Sequence, residues 1–220
     1  LTSIRTILDT HAKETQTLES KKREDLINLD VGTVSFLTAL FEHGDSVHSV
    51  HFSPDGKSIL TGSKDNKARL FTYDSQKKAW NTEPSWEYEH GDSVGSVVFS
   101  PDGQSILTGS KDKKVRLFTY DSQKEAWNQE PSWEFTHQGR VHSVDFSPDG
   151  QSILTGSADK KVRLFTYNPQ KKTWNTKPSW EFEHEGFVLS VRFSPDGKNI
   201  LTGTIHRKAR LFTYNSEEEA

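Results

Sequence analysis

Phe52-Ser53-Pro54-Asp55-Gly56 recurs as Phe99 to Gly103, Phe146 to Gly150 and Phe193 to Gly197, each copy 47 residues after the last. A second stretch, Thr-Gly-Ser at Thr61, Thr108 and Thr155, keeps the same step and returns as Thr-Gly-Thr at Thr202. A period of this size marks one supersecondary unit copied in tandem, each copy burying its faces against its neighbours. The array occupies residues 33–220, in units of about 43–89, 90–136, 137–183 and 184–220. Residues 1–32 stand apart as a helical or linker segment. There Ile4, Leu8, Leu18 and Leu26 among charges predict a short amphipathic helix over 2–28.

Within one unit four segments carry strand composition: Val94 to Ser100, Ser105 to Ser110, Lys114 to Tyr120 and Trp133 to His137, here called a, b, c and d. Pro101-Asp102-Gly103 turns a into b, because proline presets one dihedral and glycine accepts a positive φ. Lys111-Asp112-Lys113 is a second short reversal, so a, b and c form an antiparallel meander. Strand c is apolar on both sides, as in Val115-Arg116-Leu117-Phe118, which suits a place between two sheets. Strand d alternates, as in Trp86-Glu87-Tyr88-Glu89, and reads as an outer strand with one wet face. The fold class is therefore all-β. Tandem four-stranded sheets with two faces to bury pack radially, as the blades of a β-propeller.

The order His-Gly-Asp-Ser-Val, Phe-Ser-Pro-Asp-Gly, Leu-Thr-Gly-Ser-Lys-Asp, Arg-Leu-Phe resembles the tryptophan-aspartate (WD) repeat over residues 43 to 214. The resemblance implies a WD-repeat β-propeller with four four-stranded antiparallel blades per chain. The family's Trp-Asp ending of strand c is replaced by Phe71-Thr72, Phe118-Thr119, Phe165-Thr166 and Phe212-Thr213. The usual Gly before the loop histidine is Glu42, Glu89, Thr136 or Glu183, and the c-to-d connection is long.

Each unit carries a histidine, a threonine and an acid: His43, Thr61, Asp65; His90, Thr108, Asp112; His137, Thr155, Asp159. The set looks like a catalytic triad. Repetition in every unit argues instead for a packing device, and the resemblance to WD repeats implies a structural network in which the histidine bonds the turn aspartate and the strand-b hydroxyl. Phenylalanine cannot supply the indole N–H on which the family's network ends, so the network is expected to stop at threonine. The fourth unit, with His184 and Thr202, has His206 at the acid position. Two imidazoles there would repel when both are charged, so this blade is expected to loosen first on acidification.

Composition narrows the partners. Among 220 residues there is no cysteine, hence no disulfide, thiolate metal site or cysteine nucleophile. A net charge of -3 does not suit nucleic acid, and no apolar run approaches the roughly 18 residues that span a bilayer. The reading is a cytoplasmic, non-enzymatic chain without cofactor, metal or membrane. No methionine occurs, so Leu1 is not a retained start and the sequence reads as a fragment or processed form.

Residues fixed by packing should recur, so positions that change between units are free for recognition. The d-to-a and b-to-c loops share one end of a propeller, and there Lys64, Lys111, Arg140, His48 and His142 give way to Phe187, Leu189 and Ile205 in the last unit. These residues are the candidate contacts for a protein or peptide, and the chain reads as a rigid interaction scaffold, with the sensor end of a longer protein among the roles this allows. The alternative is a multivalent carbohydrate-binding propeller, in which Trp80, Trp127 and Trp174 stack sugars beside Asn81, Asn128 and Asn175. The stretch 34–42 aligns with strand d and the last unit lacks one, so an N-terminal strand is expected to complete the final blade. Two chains exchanging that strand would form an eight-bladed homodimeric ring, the favoured form. A four-bladed monomer, or a longer array with further blades, is the alternative.

Overall fold

The computed structural model describes residues 37–213 of the 220. The helix expected over 2–28 lies outside them. The compact repeat unit begins at Phe41.

The recurring pentapeptide closes a hairpin. In the second copy Ser100 N donates to Ser105 O and Ser105 N to Ser100 Oγ, each at 2.9 Å, Gly103 N donates to Ser100 O at 2.9 Å, and Asp102 Oδ1 accepts from Gln104 N at 2.9 Å. Gly103 sits at φ 71, a region that a Cβ would strain, and Gly56, Gly150 and Gly197 match it. The turns also stack between units, since a Cβ at Gly103 would lie 3.4 Å from Pro54 Cδ.

In the first blade β1 (Val47–Phe52), β2 (Ser58–Ser63) and β3 (Lys67–Asp74) form the meander. Then β4 (Ala79–Trp80) folds back on the end of β3, and β5 (Trp86–Glu89) pairs along its start. Blade two repeats the order with β6 (Val94–Phe99), β7 (Ser105–Ser110), β8 (Lys114–Asp121), β9 (Ala126–Trp127) and β10 (Trp133–Thr136). Blade three does so with β11 (Val141–Phe146), β12 (Ser152–Ser157), β13 (Lys161–Asn168), β14 (Thr173–Trp174) and β15 (Trp180–Glu183). Blade four holds β16 (Val188–Phe193), β17 (Asn199–Thr204) and β18 (Ala209–Thr213). All ladders are antiparallel, and no helix occurs among the described residues.

Two features differ from the sequence reading. The long c-to-d connection is itself a small hairpin: Tyr120 pairs with Trp127 and Asp121 with Ala126, and Asp121 Oδ1 accepts from Gln123 N at 3.0 Å. Its turn ends on Glu125 at φ 51. The strand expected over 34–42 falls partly outside the described residues, and residues 37–42 form no ladder. Phe41 lies on Phe71 of blade one, ring centroids 4.5 Å apart, just as Tyr88 lies on Phe118 at 4.6 Å. Phe41 thus occupies the place that Tyr88 holds in strand d, for a blade preceding blade one, where the described residues offer no strand c to pair with.

Blades stack face to face through three apolar seams. The first joins Leu60, Ala68, Leu70 and Trp86 of blade one to Val94, Val97, Phe99, Ile106 and Phe118 of blade two. Full burial of each such side chain contributes roughly 1.5–3 kcal/mol, so the seams are the main source of cohesion. Glycine permits the closest approach: a Cβ at Gly109 would stand 2.8 Å from Val141 Cγ1 and 3.0 Å from Val144 Cγ1. Along the inner edge Ser49, Ser96 and Ser143 Oγ accept from Val97, Val144 and Val191 N of the following blade at 3.1–3.2 Å.

Candidate functional site

The histidine of each blade lies between the two loops of one rim. In blade two the Arg116 guanidinium, on β8, donates through Nη1 to His90 Nδ1 at 2.8 Å and to Asp112 Oδ2 at 2.7 Å. Asp112 also accepts from Gly91 N at 3.1 Å and Lys114 N at 2.9 Å, tying the d-to-a loop to the b-to-c turn. Blade three repeats this with Arg163, His137 and Asp159 at 2.7 and 2.8 Å. An arginine therefore stands at the centre of the lock, a member that sequence reasoning passed over although Arg-Leu-Phe recurs in every unit. Because guanidinium only donates, Nδ1 of the neutral ring accepts and the proton sits on Nε2. In His90, His137 and His184 that nitrogen is buried with no hydrogen-bond partner among the described residues.

Blade one differs, since His43 Nδ1 donates to Phe41 O at 3.0 Å and Nε2 accepts from Thr61 Oγ1 at 2.8 Å. Thr108 and Thr155 point their hydroxyls at the Arg116 and Arg163 carbonyls, at 3.4 and 3.5 Å. Electrostatics follow burial. Desolvation, helped by the Arg116 charge, pushes the His90 imidazole down to about 3, and burial also lowers His137. Burial would raise the Asp112 carboxyl, but the Arg116 hydrogen bond and backbone donors leave it below the usual range. Neutral rings and charged carboxylates sealed in this way hold loops in place.

In blade four Arg210 Nη1 still donates to His184 Nδ1 at 2.9 Å, and burial again lowers the imidazole. With no aspartate, Arg210 Nη2 reaches the exposed Glu185 at 3.4 Å and Lys208 takes the same carboxylate at 2.7 Å. His206 is exposed and its ring lies over Gly186, where a Cβ would clash with the imidazole Cδ2. Thr202 Oγ1 is buried with no hydrogen-bond partner among the described residues.

One backbone bond joins the two rim loops in every blade: Lys64 N to Ser46 O, Lys111 N to Ser93 O, Ala158 N to Arg140 O, and Ile205 N to Phe187 O, at 2.8–3.0 Å. The rim therefore has a common backbone and blade-specific side chains. His48 and Lys64 are exposed on blade one, Lys64 Nζ standing 3.1 Å from Asp45. Between blades two and three, Arg140 is exposed while Lys111 and His142 are half-buried. Burial lowers the His142 imidazole, and the nearby charges of Arg140 and Lys111 lower it further, so the ring is neutral and Arg140 and Lys111 carry the positive charge of this sector. On blade four Phe187, Leu189 and Ile205 are 43%, 45% and 53% exposed.

The tryptophans of the c-to-d hairpins are half-buried against aromatic neighbours. Trp127 meets Tyr120 at 5.6 Å and Phe99 at 6.1 Å, Trp80 meets Tyr73 and Phe52, and Trp174 meets Tyr167 and Phe146. The amides of Asn81, Asn128 and Asn175 donate to Thr72, Thr119 and Thr166 at 2.9–3.2 Å. The Asn128 and Asn175 carbonyls accept the indole N–H of Trp86 and Trp133 across the seam, each at 3.1 Å. A cleft of about 690 Å³ remains between blades two and three, walled by Trp133, Tyr167 and Trp174 with Asp102, Gln151 and Lys172.

Among the described residues no three His, Asp or Glu side chains gather as a metal site would require, and no helix is long and apolar enough to cross a membrane. No curated protein matches the chain. A family model described as WD domain, G-beta repeat matches residues 34–72, 83–119, 129–166 and 176–213, one match per blade and well over half of the sequence. With four antiparallel blades stacked in order and the same rim bond in each, the chain belongs to the WD domain, G-beta repeat family.

Proposed function

We propose that the chain is a non-enzymatic interaction module that receives a protein or peptide on the rim built by the d-to-a and b-to-c loops. The observation that carries this reading is the exposed trio Phe187, Leu189 and Ile205, two of which, Ile205 and Phe187, are joined by the bond from Ile205 N to Phe187 O. Apolar side chains clustered on a rigid backbone are the usual anchor of a docking surface. The charged pair Lys111 and Arg140, with the neutral His142 beside them, offers a second contact of opposite character. The reading favours a partner with an apolar anchor and an acidic flank.

Selection of displayed peptides against the 220-residue chain tests it. Enriched peptides should carry an apolar residue near acids, lose binding when Phe187, Leu189 and Ile205 are changed to serine, and keep it in Trp174→Ala. Peptides that bind both forms alike would remove the trio from the interface. The carbohydrate reading is favoured by one observation, the aromatic cleft between blades two and three. Glycan-array binding that disappears in Trp174→Ala would support it, and an array without signal would retire it.

A further inference from the structure

The three internal seams define a mould and a matching cast. The downstream face of each blade presents a leucine from strand b, a leucine from strand c and a glycine between them. In blades one to three these are Leu60, Leu70 and Gly62; Leu107, Leu117 and Gly109; Leu154, Leu164 and Gly156. All six leucines are 0–2% exposed. The upstream face presents two valines and a phenylalanine from strand a, and Val94, Val97, Phe99 and their counterparts in blades three and four are 0–9% exposed. The valines sit on the glycine of the preceding blade in every seam.

At the ends both faces are bare. On blade one Val47, Val50 and Phe52 are 43%, 67% and 61% exposed. On blade four Leu201 and Leu211 are 49% and 68% exposed. A Cβ at Gly203 would meet only its own blade's Ser190, at 3.8 Å, where the other three glycines would meet valines at 2.8 Å. The bare mould and the bare cast are the same two surfaces that mate three times within the chain.

We propose that these faces are occupied by a second copy of this chain, the upstream face of blade one seating on the downstream face of the partner's blade four, and the reverse at the other end. The repeat register specifies the contacts. Val47 and Val50 cover Gly203, and Ser190 Oγ, in the place of Ser49, Ser96 and Ser143, accepts from Val50 N. The ladder that sets Tyr88 opposite Ala68 and Glu89 opposite Lys67 sets Phe41 opposite Ala209 and Glu42 opposite Lys208, with opposite charges facing. This last pairing gives the three-stranded fourth sheet the strand d that it lacks among the described residues. Such an interface is heterologous, so it closes only when both ends are mated. Two copies joined at both ends form the smallest assembly of this chain that leaves neither face open.

Light scattering on the 220-residue chain should give about twice the 25.0 kDa of one copy, unchanged on dilution until dissociation. Gly203→Trp spoils the mould and Val50→Asp spoils the cast; both positions face solvent within one copy, so each variant alone should run at 25.0 kDa. Mixing the two variants leaves one sound seam per pair, and the doubled mass should return. A contact in which one face meets the same face of the other copy gives no such rescue, and an unfolded variant cannot provide it. A wild-type mass of 25.0 kDa at all concentrations, a mass that climbs past two copies, or variants that stay paired or fail to complement each other would each overturn the proposal.

Discussion

Blades two and four share a backbone and a histidine-arginine pair, yet one rim is locked and the other is open. In blade two a single carboxylate, Asp112, receives Arg116, Gly91 N and Lys114 N beneath a nearly closed surface. In blade four the corresponding His206 lies over Gly186 and Arg210 is left to the exposed Glu185. The ladders of β17 and β18 keep the register seen in β7 and β8 nonetheless. The lock is therefore an addition to a blade already specified by its strands and seams. Its loss relaxes a rim without unmaking a sheet, and the relaxed rim is the one that carries Phe187, Leu189 and Ile205.

The largest expected effect comes from opening the lock where it is sealed. Arg116→Ala strands the buried Asp112 carboxylate and should cost about 3–5 kcal/mol in denaturant unfolding. Arg210→Ala, whose carboxylate partner is in water, should cost about 1 kcal/mol or less. Equal costs would erase the distinction between the two blades.

Acid should act through the same residues. The folded imidazoles of His90 and His137 titrate below their ordinary value of 6.5, His90 at about 3. The unfolded chain then binds more protons, so stability is full above about pH 6.5 and falls as the pH is lowered through the window down to the folded values. Each histidine adds at most about 1.4 kcal/mol per pH unit to that slope. Replacing His90 by glutamine should flatten the decline between pH 6 and about 4, and an unchanged slope would show that the burial of its ring does not set the acid sensitivity.

A lock can also be installed. His206→Asp offers Arg210 a carboxylate at the place that Asp112 holds for Arg116, and should raise blade four's stability by about 1 kcal/mol. No gain would mean that the Gly186 loop is set against the network for another reason. The smallest effect belongs to Phe187→Ser, which should change stability by less than about 0.5 kcal/mol because the residue stands on the exposed rim, while it abolishes peptide capture.

Much of this architecture is legible in the residues. Four Phe-Ser-Pro-Asp-Gly turns with glycine at positive φ mark every a-to-b hairpin, and alternation places strands b and d within a residue of their observed ends. The c-to-d hairpin escaped notice because its turn puts Glu125 rather than glycine at positive φ, so no punctuation announces it. Arg116 escaped because strand c was read for its apolar packing and the arginine within it was given no role, whereas the fold turns it to Asp112 and His90. Asp145 and Arg192 pair across neighbouring strands a, a contact that only the inner edge of the stack brings about. The ladder partner of Phe41 could not be read from a linear alignment, because the alignment identifies strand d without saying whose strand c it faces.

Hydrogen exchange resolved by peptide tests the contrast between locked and open blades most directly, since the four b-to-c turns are distinct in sequence: Lys64-Asp65-Asn66, Lys111-Asp112-Lys113, Ala158-Asp159-Lys160 and Ile205-His206-Arg207. At neutral pH the amides of the turns after β2, β7 and β12 should exchange slowly and together, and those after β17 should exchange at least tenfold faster. Four turns opening at one rate would contradict the account.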